Sequence, residues 1–97
     1  MDSDILRPYG RVVQYGNAVN RTTTGDVTTR SCALLGFYVN STTSGTIVLR
    51  KGGSGGTVLN GTITPAVGFH QFPASAPGGL HVTVGGTINV TFFVIED

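Results

Sequence analysis

Between Asp26 and Glu96 this sequence contains no carboxylate, and nowhere does it contain a tryptophan or a second cysteine. The acids are Asp2, Asp4, Asp26, Glu96 and Asp97, so nearly all of them sit at the chain ends. Hydrolysis by paired carboxylates needs two acids held across a cleft. Calcium and magnesium sites need a comparable set of oxygen ligands, and neither can be assembled here. The lone Cys32 excludes an intrachain disulfide. It lies in the apolar run Ser31-Cys-Ala-Leu-Leu-Gly-Phe-Tyr-Val39 and reads as a small buried hydrophobe, not as a nucleophile or ligand. His70 and His81 fall on separate expected strands, without the local ligand pairs that zinc sites show. His81 is expected to face solvent, opposite Leu80 and Val82, and His70 to lie near a loop. The inventory points away from an enzyme, and neither a metal nor a cofactor site is expected.

Charge is scarce as well. Charged residues make up 11% of the chain, against a usual share of about 25%. The basic residues Arg7, Arg11, Arg21, Arg30, Arg50 and Lys51 are scattered and leave a net charge of +1. No run forms the basic stripe that nucleic-acid binding requires. A small free monomer relies on charge for solubility, so a weakly charged surface suits a protein that lives in contact with others. No apolar run has the length of a membrane span. The start, Met-Asp-Ser-Asp-Ile-Leu-Arg-Pro, lacks the basic and apolar regions of a signal peptide, and a soluble, cytoplasmically made product is expected. Asn20-Arg-Thr22, Asn40-Ser-Thr42, Asn60-Gly-Thr62 and Asn89-Val-Thr91 match the N-glycosylation pattern but reflect a composition rich in threonine and asparagine. Gly52-Gly-Ser-Gly-Gly56 lacks the lysine–hydroxyl pair of a phosphate-binding loop and leads into a strand, so a hairpin turn is expected there.

What is present is strand and turn chemistry. A chain of 97 residues is one domain, expected to bury roughly 60–65% of its unfolded surface. Residues 1–31 are polar and partly irregular, broken by Arg11-Val-Val-Gln-Tyr15, and read as an N-terminal arm with a first strand. The stretch 17–30 has little to bury and reads as a long loop or part of that arm. From residue 32 to 97, β-branched and aromatic runs alternate with Gly, Ser and Pro punctuation. The expected strands are 33–40, 46–51, 57–63, 69–72, 80–84 and 88–95, with glycine-bearing turns between them. Helix competes poorly, for no long segment has apolar residues at helical spacing free of glycine or β-branched crowding. Alternation places Leu80, Val82 and Val84 on one face, then Ile88, Val90, Phe92 and Val94, and likewise Ala33, Leu35, Phe37 and Val39. The reading is all-β: a single-domain antiparallel β-sandwich or jelly-roll-like barrel with an extended N-terminal arm. Phe93, Ile95, Leu34 and Tyr38 then fall on the nominally wet side. Either they are covered within the monomer or they mark a subunit interface.

The run Gly36-Phe-Tyr-Val-Asn-Ser-Thr-Thr-Ser-Gly-Thr-Ile-Val-Leu-Arg50, the segment Phe69-His-Gln-Phe-Pro73 and the close Gly78-Gly-Leu-His-Val-Thr-Val-Gly-Gly-Thr-Ile-Asn-Val-Thr-Phe-Phe-Val94 carry a resemblance. Over residues 32–95 the pattern resembles small bacteriophage virion proteins of the capsid decoration (cement) type. It is a pattern of strands and glycines with no catalytic signature, and the first thirty residues do not share it. The resemblance implies a non-enzymatic module on the outer surface of a phage head, commonly a homotrimer, that contacts the major capsid protein and stabilises the shell. No nucleic acid or membrane is implied as a partner. On that reading Arg7, Arg11, Tyr15, Arg21 and Arg30 are candidate contacts to the capsid, and Leu34, Tyr38, Phe93 and Ile95 candidate subunit-packing residues. The plain alternative for each arginine is an ordinary solvated side chain. A rival reading is a carbohydrate-binding or receptor-binding module, with Tyr9, Tyr15, Tyr38 or Phe69 stacking on sugars. Another is a head-fibre or tail adaptor on the same fold.

Overall fold

A computed structural model describes residues 16–96. Among them there is no helix, and the strands form one antiparallel sheet. They are β1 (Asn17–Arg21), β2 (Gly25–Thr28), β3 (Cys32–Lys51), β4 (Thr57–Val58), β5 (Gly68–Ala76) and β6 (Leu80–Glu96). The expectations placed on residues 1–15, including Arg7, Tyr9, Arg11 and Tyr15, lie outside the described residues.

The long strands β3 and β6 pair from Cys32 opposite Glu96 to Lys51 opposite Leu80. Each short strand flanks half of this ribbon. β1 and β2 lie along the C-terminal and N-terminal parts of β6, while β5 and β4 lie along the N-terminal and C-terminal parts of β3. The ribbon doubles back. A straight strand of 20 residues runs about 66 Å, yet the longest dimension is 45 Å. Ala76 pairs with Cys32 at one end of β3, and Leu80 pairs with Lys51 at the other. A tight turn closed by the Gly79 amide on the Ala76 carbonyl, at 3.2 Å, joins those two partners. The ends of β6 meet as well, since the Thr28 hydroxyl, on the strand paired with Leu80, donates to the Glu96 carboxylate.

The bend lies where turns were expected. Residues 41–45 and 85–87 do not separate strands. They are register partners, and Thr43 and Ser44 both oppose Thr87. Ser44 adopts φ 53° and Gly86 φ 66°, so the two chains turn together and keep their ladder. The expected pairs of strands 33–40 with 46–51 and 80–84 with 88–95 are therefore two continuous strands. At the 57–63 segment, Thr57 and Val58 keep the ladder and the Leu59 amide still donates to the Leu49 carbonyl at 2.7 Å before Ile63 rejoins Ile47. Asn60 fills the gap. Its Oδ1 accepts from the Leu49 amide at 2.8 Å, and its Nδ2 makes a long 3.5 Å contact with the Ile47 carbonyl. A side-chain amide here stands in for a missing peptide group.

One core joins both halves of the ribbon: Leu34, Phe37, Val39, Ile47, Leu49, Leu80, Val82, Ile88, Val90, Phe92 and Val94, with Val27, Cys32 and Ala76. Phe37 lies at its centre, with ring centroids 5.9 Å from Phe92, 6.3 Å from Phe72 and 5.1 Å from the stacked ring of His70. The β6 face follows the expected alternation. The β3 face does not. Between Leu34 and Gly36 the strand takes one residue more than its partner, which steps only from Val94 to Phe93. This bulge at Leu35 inverts the alternation. Cys32 and Leu34 thus join Phe37 and Val39 inside, while Ala33 is exposed and Leu35 half-buried. Leu34, assigned from the sequence to the outer face, is 1% exposed and belongs to the core. The stretch 17–30, read as a loop or arm, supplies two edge strands. Each buries a single valine against the core, Val19 or Val27, and is otherwise polar because its other face is wet.

The bend can be tested at Gly86. A methyl there would lie 2.7 Å from the Ser44 carbonyl oxygen, in a backbone conformation that already disfavours alanine. Gly86→Ala is expected to cost about 1–3 kcal/mol, read as a lowered midpoint in denaturant unfolding. Gly55→Ala, where a methyl meets nothing within 4 Å, is the control and is expected to leave the midpoint unchanged.

Candidate functional site

The half of the sheet built from β1, β6, β3 and β5 has one face on the core and one facing out. Register sets the outer face in rows. Asn20 lies opposite Thr91, Thr91 opposite Tyr38, and Tyr38 opposite Phe69. In the next row Ala18 lies opposite Phe93, Phe93 opposite Gly36, and Gly36 opposite Gln71. Beyond that, Ile95 meets Ala33 and Ala33 meets Ser75.

Each row changes character across the sheet. At the β5 side the Phe69 ring lies over Gly36, where a methyl would come within 2.8 Å of it, and tilts against Phe93 with centroids 6.2 Å apart. Gly36 is thus the recess that lets the Phe69 ring lie on the sheet. Phe69 remains 57% exposed and Tyr38 42%. At the β1 side the surface becomes a cluster of amides. Asn20 Nδ2 donates to Asn89 Oδ1 at 2.7 Å and to Thr91 Oγ1 at 3.2 Å. Asn40 Nδ2 donates to the same two acceptors, at 3.1 and 3.0 Å. Side chains from β1 and β3 therefore converge on Asn89 and Thr91 of β6. Three of the four asparagines of glycosylation-type tripeptides are these cluster residues, and the fourth, Asn60, is the peptide surrogate beside β3. No outward-alternating side chain described on this half carries a charge.

The other half of the sheet contrasts with it. Asp26 lies opposite His81, and His81 opposite Arg50. His81 was expected to face solvent and is instead 6% exposed, with Nδ1 2.9 Å from Asp26 Oδ1. It does alternate away from Leu80 and Val82, but it is buried there with Asp26 as its partner. Arg50 Nη1 donates to the Gly56 carbonyl at 3.3 Å. His70 is on β5, stacked on Phe37, with Nε2 2.7 Å from the Ala66 carbonyl. Cys32 is buried. Among the described residues, no three His, Cys, Asp or Glu side chains are grouped to hold a metal ion.

Of the residues singled out from the sequence, Tyr38, Phe93 and Ile95 lie together on the neutral outer face, and Phe69 joins them. Arg21 and Arg30 do not. Arg21 ends β1, where its guanidinium reaches the Thr23 and Thr24 carbonyls, and Arg30 lies in the link from β2 to β3. The amide cluster was not foreseen, because its members are up to 71 residues apart in sequence. Comparison with protein-family models, characterised proteins and solved structures finds no match for this chain.

The two surfaces separate structural from exposed groups. Asp26→Ala would leave the buried His81 Nδ1 without its partner and is expected to cost about 1–3 kcal/mol. Phe69→Ser, at an exposed position, is expected to cost no more than about 1 kcal/mol. Urea melts of the two variants beside the parent protein check this ordering.

Proposed function

We propose that this chain is a non-enzymatic structural subunit that joins a larger assembly through the neutral outer face of β1, β6, β3 and β5, and that the surface it meets there is another copy of itself. On this reading the doubled sheet is a two-layer β-sandwich, jelly-roll-like in plan. The assembly is of the capsid-decoration type that the glycine and strand pattern of residues 32–95 resembles, with a trimer on the outside of a phage head and the major capsid protein beneath it.

The observation that carries the reading is the exposure of Phe69 and Tyr38, side by side and continuous with Phe93, on a face without charge. Exposed aromatic patches of this kind mark contact surfaces, and aromatic residues are the usual anchors of such contacts. Four strands about 4.8 Å apart, three of them roughly eight residues long on this half and β1 five, span at most approximately 19 by 26 Å. With side-chain relief this approaches the ~800 Å² that each partner contributes to a standard interface. A face without charge has no like-charge repulsion to overcome when two copies meet.

Light scattering on the full chain is expected to give an oligomer that Tyr38→Lys or Phe69→Ser converts to monomer without loss of fold. A monomeric parent protein at concentrations well above micromolar would overturn self-assembly through this face.

The amide cluster favours a second reading, carbohydrate binding. Asn20, Asn40, Asn89 and Thr91 hold one another in place beside an exposed Tyr38 ring, and fixed amides next to an aromatic surface suit the hydroxyl and C–H faces of a neutral sugar. Specific signal on a glycan array, abolished by Asn89→Ala, would favour this reading over subunit packing. A blank array would remove it.

A further inference from the structure

Asn60 is followed by Gly61, the only Asn-Gly pair in the chain. A glycine nitrogen has no neighbouring side chain to hinder its attack on the asparagine carboxamide. Here the carboxamide is not free. Oδ1 accepts from the Leu49 amide at 2.8 Å, and Nδ2 reaches the Gly61 carbonyl at 2.6 Å and the Ile47 carbonyl at 3.5 Å. We propose that Asn60–Gly61 is a spontaneous deamidation site that the fold holds closed, so that opening of the sheet edge beside Ile47 and Leu49 sets the rate at which the chain is chemically marked.

The chemistry needs only water. The Gly61 nitrogen attacks Asn60 Cγ, a new C–N bond forms, and the Nδ2 group leaves as ammonia with the proton released from the Gly61 amide. The resulting succinimide adds water at either carbonyl and opens to aspartate or isoaspartate, and nothing is oxidised or reduced. Attack on Cγ comes from above the carboxamide plane. The bonds to Leu49 and Ile47 hold that plane in the ladder, so cyclisation must wait until they part. Local openings of this kind are the low-energy excursions of a folded chain, and the segment involved is held by one bridge, Ile47 with Ile63, beyond Asn60.

The product does not refit the edge. A carboxylate at residue 60 still accepts from Leu49 but offers no donor to Ile47 or Gly61, and an isoaspartate also lengthens the main chain. The formal charge of the chain falls from +1 to zero, the condition in which proteins associate most readily. Marking is therefore one-way, and each marked chain opens more easily.

The purified full-length protein is incubated at mildly alkaline pH, native or in guanidinium chloride, and followed by intact mass and peptide mapping for replacement of NH2 by OH. The native rate is expected to be at least about tenfold below the denatured one, the factor that a modest opening cost produces. Gly61→Ala, where a methyl meets nothing within 4 Å, is expected to keep the fold and slow the reaction in denaturant. Ile63→Ala, which loosens the bridge, is expected to raise the native rate toward the denatured one. Equal rates in native and denatured protein, or modification mapping to Asn17, Asn20, Asn40 or Asn89, would overturn the proposal.

Discussion

The long pairing of β3 with β6, bulged in places but followed from end to end, supports every other strand described. Among the described residues the other strands pair only with one of these two, and none pairs with a neighbour in sequence except β4 across its hairpin. Strands of two, four and five residues have too few hydrogen bonds to persist alone. They exist because the ribbon offers them an edge. The ribbon in turn needs its bend, since a flat two-stranded ladder of this length would leave both faces wet. Doubling it back lets Phe37 and Phe92 of one half share a core with Leu49, Leu80 and Val82 of the other. The bend has a steric requirement: a methyl at Gly45 would sit 2.5 Å from Ile88 Cβ.

How far the fold could be read from the sequence follows from this arrangement. The inner face of β6 was legible because Ile88, Val90, Phe92 and Val94 alternate without interruption. On β3 a single extra residue at Leu35 reversed the phase, and nothing in the local composition distinguishes Leu34 from Leu35. Glycine signalled 41–45 and 85–87 correctly as places of unusual backbone, but that signal is the same for a turn and for a bend inside a strand. The strands β1 and β2 were missed because an edge strand with one wet face needs only one apolar anchor. Of the outer face, Tyr38, Phe93 and Ile95 were readable by period two alone. The convergence of Asn20, Asn40 and Asn89, and the meeting of Asp26 with His81, depend on register across strands distant in sequence.

The two halves of the outer surface are held together by different forces. Around His81 an acid and a base lie in one cross-strand row, and the imidazole between them is satisfied by Asp26. Around Asn89 the ties are neutral amides and hydroxyls, each acceptor shared by two donors. Salt screens charged surfaces but leaves neutral ones nearly untouched. A contact made on the Tyr38 and Phe69 face would therefore draw its strength from burial and shape and depend little on charge screening.

The edges of the sheet and its outer face are treated differently. Open strand edges invite pairing with other chains, and proteins blunt them with proline or with short strands. Among the described residues β5 pairs only with β3, and it carries Pro73 where that pairing is irregular, between Gln71 and Ala74, a position at which a strand tolerates the missing donor. The remaining edge strands β1, β2 and β4 are short. Among the described residues no charged side chain stands on the outer face beside Tyr38 and Gln71, where a lysine would keep copies apart at little cost to the core. With few charges in the chain, short strands blunt pairing through the backbone, while the described outer face presents neutral side chains. Backbone pairing is indiscriminate, while a relief of Phe69, Tyr38 and Phe93 accepts only a surface of matching shape.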